Sequence, residues 1–200
     1  MIVCGIDEVG RGPLAGPVVA AAVVFEKDFY MEKVKDSKAL NEHEREELYY
    51  RIIDKCEDFS IGIVESADID KYNILQSTMI AMRESIMKLK IQPDIYLIDG
   101  NYFKLKNNEQ DKYNFRTIVK GDSTVFQISC ASIIAKVIRD NIMKGFHLRY
   151  PEYDFHKHKG YATSLHYSRI LKYGISAIHR KSFLKNLLID QKNLFHELHI

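Results

Sequence analysis

Two adjacent carboxylates, Asp7 and Glu8, follow an apolar run at the start of the sequence and precede a turn that contains Gly10, Arg11 and Gly12. Two carboxylates about 4 Å apart repel each other by roughly 4 kcal/mol at an effective dielectric constant of about 20. A bound cation would remove that repulsion, and the glycines would leave backbone N–H groups open to a ligand beside it. The alternative at this point is a strand end with a solvated acidic pair and a tight turn.

Two further acids stand at comparable places in the sequence. Asp99 closes a short apolar segment and is followed by Gly100, and Asp122 follows another such segment and Gly121. Because ligand sites in α/β sheets gather at strand ends, these side chains are expected to share one cleft with Asp7. Carboxylate oxygens are hard ligands that suit Mg²⁺ or Mn²⁺ and not zinc. Two such ions about 3.5–4 Å apart are well suited to phosphodiester hydrolysis.

The elements that must position these acids are predicted from hydrophobic periodicity and turn residues. The pattern favours an α/β fold with a five-stranded sheet flanked by helices and a helical C-terminal appendage. The strands are expected at 2–7, 18–25, 59–64, 94–99 and 116–120. The helices are expected at 41–54, 68–90, 126–148, 163–172 and 183–196, with a polar loop at 101–114. At 200 residues, the chain suits one compact domain.

Charge is distributed unevenly behind a net charge of +2. Residues 1–100 hold 12 Lys and Arg against 19 Asp and Glu, whereas residues 101–200 hold 17 against 8. An acidic cluster facing a basic half is what a metal-dependent enzyme needs to act on a polyanion such as nucleic acid. Ordinary surface charge, unevenly placed, remains the alternative.

Cellular location is predicted from the cysteines and from the apolar runs. Cys4, Cys56 and Cys130 are widely spaced and odd in number, which favours free thiols over disulfides or a zinc site. No apolar run is long enough to cross a bilayer, and nothing at the start predicts export. We therefore expect a cytoplasmic protein, and Cys130 is expected in the core.

Seven short motifs, in order along nearly the whole chain, resemble those of the ribonuclease HII family. They are DEVGRGPLAGPV at 7–18, DSKAL at 36–40, LIDG at 97–100, VKGDS at 119–123, SIIAKVIRD at 132–140, HKGYAT at 158–163 and HRKSF at 179–183. The resemblance implies a ribonuclease H-like mixed sheet, with a catalytic domain at 1–150 and a substrate-contacting segment at 151–200 packed on it.

The resemblance also implies the reaction. Enzymes of this family hydrolyse the RNA strand of RNA–DNA hybrids and cut on the 5′ side of single ribonucleotides in duplex DNA, leaving 3′-hydroxyl and 5′-phosphate ends. They are linked to ribonucleotide excision repair and DNA replication. Carried over residue by residue, the acids that bind two Mg²⁺ or Mn²⁺ ions fall on Asp7, Glu8, Asp99 and Asp122.

Substrate contacts are carried over in the same way. The family's glycine-arginine-glycine loop, whose backbone contacts the ribose 2′-hydroxyl, falls on Gly10, Arg11 and Gly12. Tyr161 corresponds to a tyrosine that packs on the deoxyribose after the ribonucleotide, with core packing as its alternative role. Ser37 or Lys38 is expected to contact a phosphate.

Two other readings of the function stay open at this point. One is a hybrid-binding module that no longer cuts, which the presence of four mutually repelling acids argues against. The other is a different two-metal nuclease on the same fold, which the Gly10–Gly12 loop and Tyr161 argue against. A monomer is expected, and 191–200 is faintly suggestive of a sliding-clamp motif.

Two side-chain groups outside the acids carry expectations of their own. Asp140 is expected to form a surface ion pair, with Arg139 and Lys136 nearby. His156, His158 and His166 match no specific zinc pattern, so a solvated basic strip against the DNA backbone is favoured.

Overall fold

The structure is a computed structural model and describes residues 1–32, 34, 40–104 and 112–185. Its centre is a five-stranded mixed sheet with the strand order β3-β2-β1-β4-β5. β1 pairs antiparallel with β2 and parallel with β4, β2 pairs antiparallel with β3, and β4 pairs parallel with β5. The strands are β1 (Ile2–Val9), β2 (Val18–Glu26), β3 (Asp58–Val64), β4 (Ile95–Asp99) and β5 (Phe115–Ile118).

Helices cover both faces of this sheet. The α1 helix (Glu42–Lys55) begins with a capping box between Asn41 and Glu44, which satisfies N–H groups that the helix start leaves free. The α2 helix (Ser66–Met87) is interrupted at Asn73, whose φ is 65°. The others are α3 (Gly121–Thr124), α4 (Phe126–Arg149), α5 (Phe155–His158) and α6 (Ser164–Tyr173).

The alternation of side chains along β2 divides the core into two layers. Val18, Ala20, Ala22 and Val24 pack with α2 on one face. The intervening residues of β2 pack with α1 and α4 on the other face. Every hydrophobic residue of β2 is buried, as expected of a strand covered by helices on both faces.

The α4 helix lies unusually close to β1. A side chain at Gly5 would overlap the backbone of α4 at Gln127, so glycine is required where helix and strand meet. This contact brings the start of α4 against the strand that ends in Asp7 and Glu8. The helix therefore forms one wall of the region in which the acids lie.

The predicted α/β class and five-stranded sheet are confirmed, and most predicted element bounds lie close to the observed ones. One strand differs, because β5 ends at Ile118 and Lys120 adopts a left-handed φ of 56° before the short α3. Of the helix expected at 183–196, only residues up to 185 lie within the described residues. The expected loop at 101–114 is described only at its ends. In the described ranges, no helix is long and apolar enough to span a membrane.

Candidate active site

Three carboxylates meet where β1 and β4 end side by side. Asp7 and Glu8 lie near the C-terminal end of β1, and Asp99 is the last residue of β4. The parallel register pairs Ile6 with Ile98, so Asp7 and Asp99 come next in their respective strands. One carboxylate oxygen from each of Asp7, Glu8 and Asp99 lies within 4.8 Å of the other two.

Burial destabilises the charged carboxylates of this cluster and so favours binding of a cation. Asp7 is 5% exposed, and its pKa is raised well above the usual value by burial and by the charges of Glu8 and Asp99, with a smaller opposing effect from the Ser132 side chain. Burial also raises the pKa of Glu8, against the influence of Arg11. Removing a carboxylate from water disfavours its charged form, and a divalent cation would reverse that effect.

Arg11 supplies a partial counter-charge at the edge of the cluster. Its Nη1 lies 3.2 Å from Oε1 of Glu8, and about half of the Arg11 side chain is exposed. Because the Arg11 end of the pair is half-exposed, solvent screens the interaction and reduces its contribution to stability. It is therefore easily exchanged for a stronger ligand of Glu8, such as a metal ion.

Asp122 is brought to the same edge of the sheet by β5 and α3. The backbone N–H of Gly121 donates to Oδ1 of Asp99 at 2.7 Å, and that of Asp122 does so at 3.4 Å. The Ser129 hydroxyl of α4 donates to the carbonyl of Asp122 at 2.7 Å. The backbone of Asp122 thus adjoins Asp99, although its carboxylate is not one of the three that lie within 4.8 Å of one another.

The predicted glycine-arginine-glycine loop leads directly from the acids into a tightly held turn. Gly10 has a φ of 94°, which favours glycine, and a side chain there would overlap Arg139. Gly12 is exposed, and a Cβ at this position would meet no atom within 4 Å. Packing therefore explains the glycine at position 10 but not the one at position 12.

A fully buried arginine, Arg180, holds this loop from beneath. Its Nη2 donates to the carbonyl of Gly10 at 2.6 Å, and its Nη1 donates to that of Arg11 at 3.1 Å. The Nε and Nη2 atoms also donate to the carbonyl of Gly16, at 3.0 and 2.8 Å. Burial lowers the pKa of Arg180 to about 9, with a smaller contribution from the nearby charge of Arg139, so the guanidinium remains protonated at neutral pH.

A second fully buried arginine, Arg139, joins the loop to the segment that carries Tyr161. It donates to the carbonyls of Pro17 at 2.9 Å, Ala15 at 3.2 Å and Lys159 at 3.0 Å. The Tyr161 ring is 38% exposed, and its centroid lies 5.6 Å from the guanidinium carbon of Arg139. Tyr161 is therefore a surface residue whose ring packs over the buried guanidinium of Arg139, and it does not belong to the core.

Three buried histidines lie together near Tyr161, with His166 hydrogen-bonded to His179 and stacked on His158. Nδ1 of His166 lies 2.9 Å from the carbonyl of Tyr161, and its Nε2 lies 3.0 Å from Nε2 of His179. The His179 Nδ1 accepts from the N–H of Ser176 at 2.9 Å. His158 bonds to the carbonyl of Tyr153 and accepts from the N–H of Gly160. Burial lowers the pKa of His166 and of His179 to about 4.

The comparisons with known proteins agree with this arrangement. The model of the family described as Ribonuclease HII matches residues 4–186. The ribonuclease HII of Clostridioides difficile (strain 630) is 52% identical over 184 residues, which cover 92% of this chain and 70% of that protein. The chain belongs to the ribonuclease HII family. It is thus a metal-dependent nuclease with ribonuclease H activity.

Solved structures of the family share the fold. The ribonuclease H2 of Pyrococcus horikoshii OT3 superposes with a TM-score of 0.74 at 28% identity, over 91% of this chain and 93% of that one. A ribonuclease HII from Archaeoglobus fulgidus, solved as a complex with PCNA, gives a TM-score of 0.75 at 25% identity, over 90% and 94% of the two chains. The resemblance inferred from the seven motifs is confirmed.

Two expectations for this ribonuclease HII chain are corrected by the structure. Asp140 does pair with Lys136, at 2.6 Å, but it is buried and not on the surface. Arg139 is directed instead to backbone carbonyls. The solvated histidine strip is wrong for His158 and His166, which are buried because they satisfy backbone groups around Tyr161.

Other expectations have simpler outcomes. Ser37 and Lys38 lie outside the described residues, as does 191–200. Cys130 is buried in the core, and all three cysteines are free thiols.

Sequence reasoning missed the residues that hold the ribonuclease HII site together. Arg139 was expected only beside a surface ion pair of Asp140, and Arg180 received no role although both lie inside family motifs. His179 and Ser132 likewise received no role. The available signal was an arginine among apolar residues in the middle of a helix, as at Arg139, because such a residue must be satisfied if its helix face is buried.

Proposed function

We propose that this enzyme cuts a nucleic-acid strand on the 5′ side of a ribonucleotide, both in RNA–DNA hybrids and at single ribonucleotides within duplex DNA. The products are 3′-hydroxyl and 5′-phosphate ends. The observation that carries the proposal is the cluster of Asp7, Glu8 and Asp99, which continues directly into the exposed loop at Gly12. Asp7 and Gly12 are five residues apart in the chain, and this proximity supports a site that combines cleavage with recognition of the ribose.

The donor set fits divalent metal ions of the Mg²⁺ and Mn²⁺ class. Three carboxylates lie within 4.8 Å of one another, one of them deeply buried, and such hard oxygen ligands suit these ions. Asp122 is proposed as the fourth ligand, because its backbone adjoins Asp99. Two ions bound here would activate the attacking water and stabilise the departing oxygen.

The chain's own residues would bind and orient the substrate. Backbone N–H groups of the Gly10–Gly12 loop are proposed to contact the 2′-hydroxyl, the group that distinguishes RNA from DNA. The exposed ring of Tyr161 is proposed to pack on the deoxyribose that follows the ribonucleotide. The surplus of Lys and Arg in residues 101–200 would favour binding to phosphates.

A sliding clamp is a candidate partner. The Archaeoglobus fulgidus relative is in complex with PCNA, and a similar contact is proposed for this chain through residues 191–200. The proposed setting is ribonucleotide excision repair and DNA replication in the cytoplasm, with the enzyme acting as a monomer.

The experiment that tests the function uses a DNA duplex with one ribonucleotide at a defined position. The enzyme is incubated with the duplex in Mg²⁺, in Mn²⁺ and in chelator, and the termini of the products are mapped. We expect a metal-dependent cut on the 5′ side of the ribonucleotide, with a 3′-hydroxyl on the upstream fragment and a 5′-phosphate on the downstream one. A binding module would retain the duplex uncut, and a nuclease of another specificity would also cut the all-DNA control.

A further inference from the structure

We propose that Arg180 is a positioning residue for recognition of the 2′-hydroxyl, because it orients the backbone N–H groups of Arg11 and Gly12 toward the substrate side of the loop. This inference rests on the proposed function and names the residue that would give it ribose specificity. Arg180 is not a catalytic residue, since it is fully buried and its side chain donates to backbone carbonyls of the loop.

The orientation follows from the geometry of the peptide group. No peptide bond in the described chain is cis, and in a planar trans peptide the C=O and N–H bonds point in opposite directions. Arg180 binds the carbonyls of Gly10 and Arg11 from beneath. The N–H groups of the same two peptides, which belong to Arg11 and Gly12, therefore point away from Arg180.

These two N–H groups are suited to an external acceptor. Neither donates to an acceptor among the described residues, and both residues are exposed. Successive N–H groups that face outward form a concave donor site. The absence of a side chain at Gly12 lets a ligand approach the backbone closely.

The charge of Arg180 would also strengthen these donors. A cation bonded to a carbonyl polarises the peptide, and hydrogen bonds in series reinforce one another in a low-dielectric interior. Among the described residues, every hydrogen bond of the Arg180 side chain goes to a backbone carbonyl of the 10–16 segment. Arg180 is therefore dedicated to this loop.

Lysine cannot reproduce this arrangement. The guanidinium presents donors in a rigid planar fork, whereas an ammonium is a single point with three donors. Arg180→Lys keeps the positive charge but cannot hold the carbonyls of Gly10, Arg11 and Gly16 in the same geometry. This variant tests the orientation of the loop and not merely the presence of charge.

Arg169 of α6 provides a control. Its side chain is 32% exposed, and its Nε and Nη2 donate to Oδ2 of Asp154 at 3.1 and 2.7 Å. Arg169→Lys therefore makes the same exchange of side chains without releasing the Gly10 and Arg11 carbonyls. Thermal unfolding of both variants measures how closely the two disturbances match.

The experiment compares affinities for a duplex with one ribonucleotide and for the same duplex with the corresponding deoxynucleotide. All proteins carry Asp7→Asn, which is expected to prevent cleavage. We expect Arg180→Lys to reduce the ratio of the two affinities at least tenfold through weaker binding of the ribonucleotide duplex alone. Arg169→Lys should keep the ratio within about threefold of the Asp7→Asn parent.

The remaining outcomes overturn the proposal. If Arg180→Lys keeps the ratio, or if both variants lose it equally, then Arg180 has no specific role in ribose recognition. If the parent shows no preference for the ribonucleotide while wild-type enzyme cuts specifically beside it, binding recognition by the loop is excluded but the proposed function survives. If wild-type enzyme shows neither preference, the proposed function itself fails.

A second experiment leaves Arg180 unchanged, so that the proposal can be tested even if Arg180→Lys does not fold. Amide hydrogen exchange at Arg11 and Gly12 is followed in the Asp7→Asn protein, free and bound to each duplex. We expect the ribonucleotide duplex to slow exchange at least tenfold more than the all-DNA duplex does. Equal protection by the two duplexes would show that these N–H groups do not read the 2′-hydroxyl.

Discussion

Asp99 accepts a hydrogen bond from the backbone N–H of Gly121, with Oδ1 and N 2.7 Å apart. The third acid of the cluster therefore also fixes the turn that carries the fourth acid, Asp122. A side chain at Gly121 would overlap Ile128 of α4, so the turn is confined from both directions. Asp99 has a structural contribution in addition to its proposed role as a metal ligand.

This relationship predicts different consequences for two substitutions of Asp99. Asp99→Asn retains an oxygen that can accept from Gly121, whereas Asp99→Ala leaves that N–H without its partner. Loss of such a bond costs about 1–2 kcal/mol. We expect both variants to lose cleavage and only Asp99→Ala to be destabilised by that amount in urea unfolding. Equal stability of the two would show that the bond does not hold the turn.

Asp7→Asn is expected to abolish cleavage while making the metal-free protein more stable. Burial and neighbouring acids raise the pKa of Asp7, so a neutral amide of the same shape removes an unfavourable charge and should increase the free energy of unfolding. Mg²⁺ or Mn²⁺ should raise the melting temperature of the wild type but not of the variant. Exposed Asp28 offers the control Asp28→Asn, which should change neither property. Normal turnover by Asp7→Asn would remove Asp7 from the chemistry.

Stability is expected to fall as the pH is lowered from about 6.5 to about 4. Burial lowers the pKa of His166 and His179 to about 4, so in this window the unfolded chain binds protons that the folded one does not. The effect amounts to about 3 kcal/mol per histidine at most. Above about pH 6.5 this contribution is fully present.

A His166 variant separates the effect of the histidines on stability from that of Asp7 and Glu8. The raised pKa values of these two acids stabilise the folded protein as the pH falls. Urea unfolding of the wild type and of His166→Gln is compared across the window. The variant should be less stable at neutral pH and should show a shallower decline on acidification. Parallel curves for the two proteins would indicate that His166 is not neutral in the folded state.

Tyr161→Ala is expected to reduce the preference for a single embedded ribonucleotide more than it reduces general duplex binding. Packing of the ring on the deoxyribose would remove apolar surface from water, with a contribution of about 1–2 kcal/mol, so the preference should fall about tenfold. Tyr161→Phe keeps the ring over Arg139 and should retain most of the preference. The readout is the ratio of kcat/KM on a single-ribonucleotide duplex to that on a hybrid. An equal loss on both would assign the tyrosine a purely structural role.

Binding is expected to weaken as salt rises, because Lys and Arg of the basic half displace counterions from phosphates. The logarithm of the binding constant should fall against the logarithm of salt concentration with a slope of about −0.9 per phosphate contacted. The slope should be similar for single-ribonucleotide and all-DNA duplexes, since phosphate contacts carry no sequence information. A flat response in fluorescence anisotropy would contradict the assignment of a basic binding face.

The position of the acids was predictable from the sequence for a local reason. Each of Asp7, Asp99 and Asp122 follows a short apolar segment and has a glycine beside or near it, and strand ends in such a sheet converge. Strand boundaries were predictable from side-chain alternation to within a few residues. The early end of β5 was not predictable, because the turn after it is held by a hydrogen bond from Gly121 of α3 to Asp99 of β4, which are distant in the sequence.

The hydrogen-bond partners of Arg139 and Arg180 were not predictable, because backbone carbonyls leave no signal in the sequence. Arg139 and Arg180 bind backbone carbonyls, which every residue possesses, at sequence separations of up to 170 residues. By composition alone an arginine is expected on the surface. The histidines were misjudged for the same reason, since His166 is buried through its bond to the carbonyl of Tyr161.

The hydrogen bond from Arg180 to the carbonyl of Gly10 joins two segments of the chain that leave the ribosome at very different times. Strand β1 can pair with β2 as soon as both have emerged. The turn at residues 10–12, however, lacks its hydrogen bonds from Arg180 until the segment around residue 180 has been translated. The turn proposed to contact the 2′-hydroxyl therefore receives its hydrogen bonds from Arg180 only after residues 1–179 have been made. The proposed discrimination between RNA and DNA would then be acquired later in synthesis than the acids of β1 and β4.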